Sequence, residues 1–199
     1  MAGAKRQNNS VVSAIVNSAK VESFDEDRVL IDRFLSGEAE AFERLYTRYY
    51  DKVFSVARGV LMDADEAADA VQEIFTLVYK NLGRFDNRAR FSTWLFRIAV
   101  NRSIQQARAN RHRSRQSPLN DAITQEADPV EVDSDPKVEA ALAELSASDR
   151  AILSLFYWEE LSLNEIAESM GCSPNAAKTR LYRARERFRE KYDALEDRP

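Results

Sequence analysis

Cysteine, histidine, glycine and proline are all scarce in this chain of 199 residues, which has one cysteine, one histidine, five glycines and five prolines. The single cysteine, Cys172, excludes a disulfide bond within the chain and any metal site built from several cysteines. The single histidine, His112, lies in a basic segment without a second histidine beside it, which makes it a poor metal-ligand candidate. We therefore expect no metal site and no cofactor.

Long hydrophobic runs are also missing. No segment approaches the about 20 apolar residues that a membrane span needs, and the apolar patch Val11–Val16 is too short for the core of a signal peptide. The chain has no P-loop, no glycine-rich nucleotide fingerprint and no metal-binding cluster of histidine and cysteine. These absences predict a soluble cytoplasmic protein without membrane insertion, and they argue against an enzyme that acts on nucleic acid.

What the chain does contain is helical periodicity. Hydrophobic residues make up 44% and charged residues 31% of the chain, which together with few glycines and prolines indicates an all-α protein. After a polar N-terminal extension, residues 1–22, three apolar stripes follow one another with short breaks at Ser36-Gly37, Met62-Asp63 and Leu82-Gly83. This pattern predicts a compact helical domain over residues 23–113.

The periodicity stops in the middle of the chain. Residues 114–136 contain three of the five prolines, and Gln116 to Pro136 holds six acidic residues and no basic one. This composition predicts a flexible acidic linker. Apolar periodicity then returns, with a helix cap at Ser146, and predicts a second small helical domain over residues 137–195.

The second domain ends in LSLNEIAESMGCSPNAAKTRLYRARERFR, which has the signature of a helix-turn-helix. Ser162 and Glu165 form a capping box that starts its first helix, Gly171 ends that helix, and Ser173 with the proline after it starts the second. An ordinary helical hairpin with a solvated basic face is the alternative. The polar N-terminal half of the second helix suits the major groove of DNA, and its candidate base readers are Ser173, Asn175, Ala176, Lys178, Thr179, Tyr182 and Arg183.

The second helix of the first domain, DADEAADAVQEIFTLVYKNL, carries an acidic ridge opposite its apolar stripe. Taken alone, such a ridge is most often a solvated face; a docking surface for a basic partner is the alternative. The ridge residues are Asp65, Glu66, Asp69, Gln72 and Glu73.

The segment RFDNRARFSTWLFRIAVNRSIQQARANR that follows combines arginines with aromatic residues. A polar loop leads into a helix that we predict to be capped by Ser92, and Trp94 is expected in the core. Guanidinium groups hold phosphates while rings and pockets receive bases, so this composition suits single-stranded nucleic acid. Amide side chains can also read base edges. The candidate residues are Arg84, Asp86, Asn87, Arg88, Arg90, Arg97, Asn101, Gln105 and Arg108.

A net charge of −4 conceals two basic segments. Arg84 to Arg115 holds nine arginines against one aspartate, and Lys178 to Lys191 holds seven basic residues against two glutamates. Acidic segments precede each of them. Because phosphate contacts dominate non-specific affinity, this distribution predicts a chain that binds DNA poorly alone and needs a partner to bring it there.

Taken in order, these features resemble a bacterial RNA polymerase sigma factor of the extracytoplasmic-function group, over about Asp27 to Glu190. Asp69, Gln72 and Glu73 match the D-x-x-Q-E of that family's polymerase-docking helix. RFDNRARFSTWLFRIAVNRSI resembles its promoter-melting segment, whose loop captures a base flipped out of the −10 element, and the helix-turn-helix resembles its reader of the −35 element.

The resemblance implies a transcription initiation factor without chemistry of its own. The implied partners are core RNA polymerase, through the clamp of the largest subunit and the flap region of the second-largest, together with promoter DNA and an anti-sigma factor. Gln105 stands where relatives usually have aspartate, and Ala176-Ala177 replaces the common Thr-Val, so the base preference is left open. The alternative is a freestanding helix-turn-helix regulator that does not bind polymerase, although such a protein needs neither the acidic ridge nor the melting-like segment.

Overall fold

The computed structural model describes residues 26–116 and 135–196, and within these ranges every regular element is helical. The predicted all-α class is therefore confirmed. The N-terminal extension and most of the predicted linker lie outside the described residues. The helices are α1 (26–35), α2 (Ala39–Leu61), α3 (Ala64–Asn81), α4 (Phe91–Gln116), α5 (Pro136–Ala143), α6 (Ala147–Tyr157), α7 (Leu163–Ser169) and α8 (Pro174–Glu196), with a 3-10 turn at Leu82–Arg84 between α3 and α4.

Helices α2, α3 and α4 pack against one another around side chains such as Leu45, Ile74 and Leu95, which are fully buried. The predicted breaks between helices are confirmed. Met62 ends α2 in a left-handed conformation, with φ 65°, and its N–H donates to the carbonyl of Arg58 at 2.7 Å. Asp63 then caps α3 by accepting from the N–H of Glu66 at 2.8 Å. Periodicity and capping together explain why the chain reverses here.

Helices α5 to α8 form the second packed unit, in which α8 contacts α5, α6 and α7. Ser146 caps α6 as predicted, because its Oγ accepts from the N–H of Asp149 at 3.1 Å. The Asp149 carboxylate in turn accepts from Arg187 of α8 at 2.7 Å. Helix α4 continues to Gln116, which is three residues into the segment predicted as linker, and the next described helix begins at Pro136.

The two helical units also contact each other. Helix α6 packs on α2 and α4, and α7 packs on the first half of α4. Their buried apolar side chains form one continuous cluster. The helix-turn-helix therefore lies directly against the predicted melting segment.

Candidate nucleic-acid interface

The helix-turn-helix has the local hydrogen bonds that its sequence predicted. The Ser162 N–H donates to the Glu165 carboxylate at 2.9 Å and the Glu165 N–H donates to Ser162 Oγ at 3.3 Å, which completes the capping box. Gly171 ends α7 with φ 61°, in the region that favours glycine. Ser173 caps α8 by accepting from the N–H of Ala176 at 3.2 Å.

Helix α8 separates a buried face from an exposed one. Ala177, Leu181 and Ala184 are buried and Phe188 is half-buried. Among the predicted base readers only Ala176 is half-buried; Tyr182 is 63% exposed, and the other exposed ones are Ser173, Asn175, Lys178, Thr179 and Arg183. The Thr179 hydroxyl donates to the carbonyl of Asn175 at 2.9 Å, one turn earlier in the helix. The face predicted for the major groove is therefore open to solvent.

The acidic ridge on α3 is less uniform than its sequence suggests. Asp65, Asp69 and Gln72 are exposed. Glu66 is half-buried and accepts from the Asn110 amide at 2.5 Å, and burial, followed by the neighbouring Asp63, raises the pKa of its carboxyl group. Glu73 forms an ion pair with Arg102 of α4.

The loop before α4 is held at its two ends. Phe85 and Phe91 are buried, and their ring centroids lie 5.9 Å apart. Between them, the Asp86 carboxylate accepts from the N–H of Arg88 at 3.2 Å, and Asn87 is left-handed, with φ 58°. The Arg88 side chain is 88% exposed. Two apolar anchors therefore present a short polar loop to solvent, with Arg84, Asp86 and Arg88 all exposed.

The prediction that Ser92 caps α4 is wrong. The helix begins at Phe91, and the carbonyl of Arg90 accepts from the N–H of Trp94 at 3.1 Å, so the cap position precedes Ser92. Phe91 lies in the first turn, and its buried ring packs against Tyr49 of α2. Trp94 is half-buried against the rings of Phe85 and Phe91, with centroids 5.4 and 5.9 Å away.

The predicted DNA face of α4 is exposed along most of its length, at Arg97, Asn101, Gln105 and Arg108. Arg90 differs, because its guanidinium donates to the Glu165 carboxylate of α7 at 3.2 Å and is half-buried. Gln105 is exposed and also lines a shallow groove between α3 and α4, together with Gln72 and Glu73 of the acidic ridge.

Family models cover both units. Residues 45–113 match the model described as Sigma-70 region 2, and residues 136–188 match Sigma-70, region 4. The RNA polymerase sigma-H factor of Pseudomonas aeruginosa is 31% identical, over 81% of this chain and 91% of its own length. The ECF RNA polymerase sigma-E factor of Escherichia coli K12 is 31% identical over 85% of this chain and 95% of its own. The chain belongs to the ECF RNA polymerase sigma factors.

A solved structure has a similar fold. CnrH, in complex with the cytosolic domain of CnrY, is 26% identical to this chain and superposes with a TM-score of 0.64 over 85% of this chain and 98% of CnrH. Among the described residues of this sigma factor, no helix is long and apolar enough to cross a membrane. The same residues hold no group of three histidine, cysteine or carboxylate side chains arranged to bind a metal.

Two features of this sigma factor that lie next to the acidic ridge were not predicted from the sequence. Arg102 was not among its candidates, although it reaches back from α4 to Glu73. An aromatic groove bordered by Phe42, Tyr46 and Tyr79 also shares Gln72 with the ridge, and Tyr79 is 55% exposed. In the sequence, Tyr79 is an aromatic residue outside the apolar stripe of α3, and this position could have indicated the groove.

Proposed function

We propose that this sigma factor docks on the clamp of core RNA polymerase through α3, holds the −10 element with the loop at residues 84–90 and α4, and reads the −35 element with α8. Polymerase supplies all of the chemistry, in the cytoplasm. The observation that carries the proposal is an exposed acidic ridge next to an arginine-rich helix. A freestanding regulator needs only α7 and α8.

Charge and exposure support the docking role of α3. Asp69 and Gln72 are exposed, and Asp69 forms no ion pair within the described residues. A basic partner surface could therefore bind them without breaking contacts inside this chain. Glu73 and Glu66 already contact α4, so they would hold the ridge in place beside the DNA-facing helix.

The melting role follows from the geometry of the loop. A base leaves the duplex only if its loss of stacking and pairing is offset by a receiving site. The exposed Arg84 and Arg88 can bind phosphates, while Asn87 and Asn101 can meet base edges. Buried anchors at Phe85 and Phe91 hold the loop without contributing to recognition.

Two further partners complete the proposal. The flap region of the second-largest polymerase subunit would bind the domain that contains α8 and set its distance from the first domain. An anti-sigma factor would restrain the chain, as the resemblance to ECF sigma factors implies. Because one chain joins the two DNA-binding domains, binding of the second DNA element is effectively intramolecular. Each domain can therefore have a low affinity for DNA by itself.

Run-off transcription with core polymerase and genomic fragments tests the proposal. Defined transcripts that require both core polymerase and this chain are the expected result, and they identify the promoters at the same time. Sequence-specific binding of the purified chain to duplex DNA, with no stimulation of core polymerase, would instead establish the freestanding regulator.

We expect Lys178→Ala and Arg183→Ala each to weaken promoter binding by the holoenzyme by about 1–3 kcal/mol if the side chains reach base edges. Both side chains are exposed on α8, so neither change should unfold the domain. Binding of cognate and scrambled −35 elements at several salt concentrations provides the measurement. Equal losses on both sequences, with a smaller salt dependence, would indicate phosphate contacts only. Unchanged binding to both would mean that α8 is not the reader.

A further inference from the structure

A cleft of about 280 Å³ opens between the C-terminal part of α4 and the start of α6. Three arginines line it: Arg108 and Arg111 belong to α4, and Arg150 belongs to the first half of α6. None of the residues that line the cleft is acidic. The cleft therefore presents three positive charges from two domains, and no carboxylate in its lining balances them.

The position of Arg150 is fixed by the packing of α6 on α2. A Cβ atom on Gly59 of α2 would overlap Ser154 Oγ, so the two helices cross in close contact. Beside this crossing, Arg150 Nε donates to the carbonyl of Val60 at 2.8 Å, and its Nη1 donates to the carbonyl of Leu145 at 2.8 Å. Both acceptors are neutral, so the half-buried guanidinium has no carboxylate partner within the described residues.

The surroundings of Arg150 disfavour its positive charge. Burial, and after it the positive charge of Arg111, lower the pKa of the Arg150 guanidinium from its ordinary value. Arg108 and Arg111 likewise form no ion pair within the described part of the chain. Because a partly buried cation without a charged partner costs free energy, a bound anion would stabilise this cleft.

The start of α6 adds hydrogen-bond donors to the same cleft. Ala147 and Ser148 line the cleft as the first two residues of α6, and N–H groups at such positions have no acceptor within their own helix. Ser146 Oγ accepts from the N–H of Asp149 instead, and the Asp149 carboxylate is paired with Arg187 of α8. The cleft therefore combines guanidinium groups with backbone N–H donors, as phosphate-binding sites do.

We propose that this cleft binds a small molecule through a phosphate or diphosphate group, between the two arginines of α4 on one side and Arg150 with the start of α6 on the other. Arginine suits this role because its planar guanidinium can pair with two phosphate oxygens at once. A diphosphate suits three arginines better than a single phosphate does, since it carries more negative charge. Such a site lets this sigma factor respond directly to a soluble phosphate compound, which goes beyond promoter reading and polymerase docking.

Phosphates of the DNA backbone are the alternative occupant of the cleft. Arg108 belongs to the predicted DNA face of α4 and is exposed, so its charge alone suits either ligand. Arg150 favours the small molecule, because its half-buried guanidinium lies against the Val60 carbonyl of α2, where a compact ligand fits more readily than a duplex. The experiment below therefore uses Arg111 rather than Arg108 and includes duplex DNA.

Isothermal titration calorimetry of the full chain with inorganic pyrophosphate, at an ionic strength matched with sodium chloride, tests the site. We expect one pyrophosphate to bind per chain and inorganic phosphate to bind more weakly. In NMR spectra of the same titration, the amide signals of Ala147 and Ser148 should be among those that shift most. Titration with GDP then separates two sources that both support the site: tighter binding than pyrophosphate indicates a nucleotide, and weaker binding indicates an inorganic ligand.

Two variants test the two sides of the cleft. Arg111→Gln removes a charge from the α4 side, and Ser148→Glu places a carboxylate on the α6 side, where an acidic residue suits the first turn of a helix. Each should weaken pyrophosphate binding by about 10-fold or more, the effect of losing or opposing a charged hydrogen bond. Arg113→Gln is the matched control, because Arg113 is exposed on the same helix, donates to Asn110 and acts electrostatically on Glu66 of the acidic ridge. We expect this control to bind pyrophosphate like the wild type.

Several results would overturn the phosphate site. Equal losses in Arg111→Gln and Arg113→Gln would reduce the binding to general charge attraction, and wild-type affinity in both cleft variants would place it elsewhere. If pyrophosphate does not bind while the cleft variants weaken binding to a random-sequence duplex, the arginines contact DNA phosphates only. Promoter and core-polymerase binding are measured separately, so failure of this site leaves the proposed function untouched.

Discussion

Asp69→Arg should weaken binding to core RNA polymerase by about 30-fold to several thousand-fold, the effect of losing one side of a desolvated charged contact worth about 2–5 kcal/mol. Asp69 is exposed on α3 and makes no ion pair within the described residues, so its reversal should leave helix content unchanged. Titration of fluorescently labelled chain with core polymerase gives the affinity. Glu73→Lys is a less direct variant, since it also breaks the pair with Arg102.

Asp51→Arg provides the matched control. Asp51 is exposed on α2 and is not one of the five ridge residues, and the substitution makes the same change in net charge. We expect this variant to bind core polymerase like the wild type. Equal losses in both variants would indicate general electrostatic attraction, and wild-type affinity for Asp69→Arg would make the ridge a solvated face.

Replacing Asp86-Asn87-Arg88 with Ser-Gly-Gly should abolish promoter opening while leaving core binding and protection of the −35 element intact. Glycine at position 87 suits the left-handed backbone of Asn87, and the buried anchors Phe85 and Phe91 remain. What would be lost is the proposed receiving site for an extruded base, whose unstacking costs a few kcal/mol. Permanganate reactivity of thymines in the −10 element, expected to disappear, measures the opening.

A pre-melted bubble template separates strand capture from folding defects. Much of the lost transcription should return on this template, because the duplex is already open and the loop no longer has to offset that cost. If the variant opens duplex promoters as well as the wild type, the loop at residues 84–90 is not the capture site. Loss of core binding would instead indicate damage to the whole domain.

The sequence by itself determined the local features of this protein. Capping at Ser162, Ser146 and Ser173 and the left-handed turn at Gly171 depend on residues at most three positions apart. Apolar periodicity likewise showed which face of each helix is buried and which is exposed. Such features follow from neighbouring backbone groups and a 3.6-residue repeat, so they can be predicted without knowing the fold. The cap of α4 was predicted wrongly at Ser92, since the helix already begins at Phe91, whose ring packs against the distant residue Tyr49.

Only the tertiary structure decided which polar side chains already have a partner in another helix. Arg102 lies 29 residues from its partner Glu73, Asn110 lies 44 from Glu66, and Arg90 lies 75 from Glu165. The crossing of Gly59 and Ser154 is equally remote in the chain. Periodicity identifies a buried face but not the helix that covers it, because that choice depends on how whole helices pack. The division of the acidic ridge and the packing of α7 against α4 were therefore visible only in three dimensions.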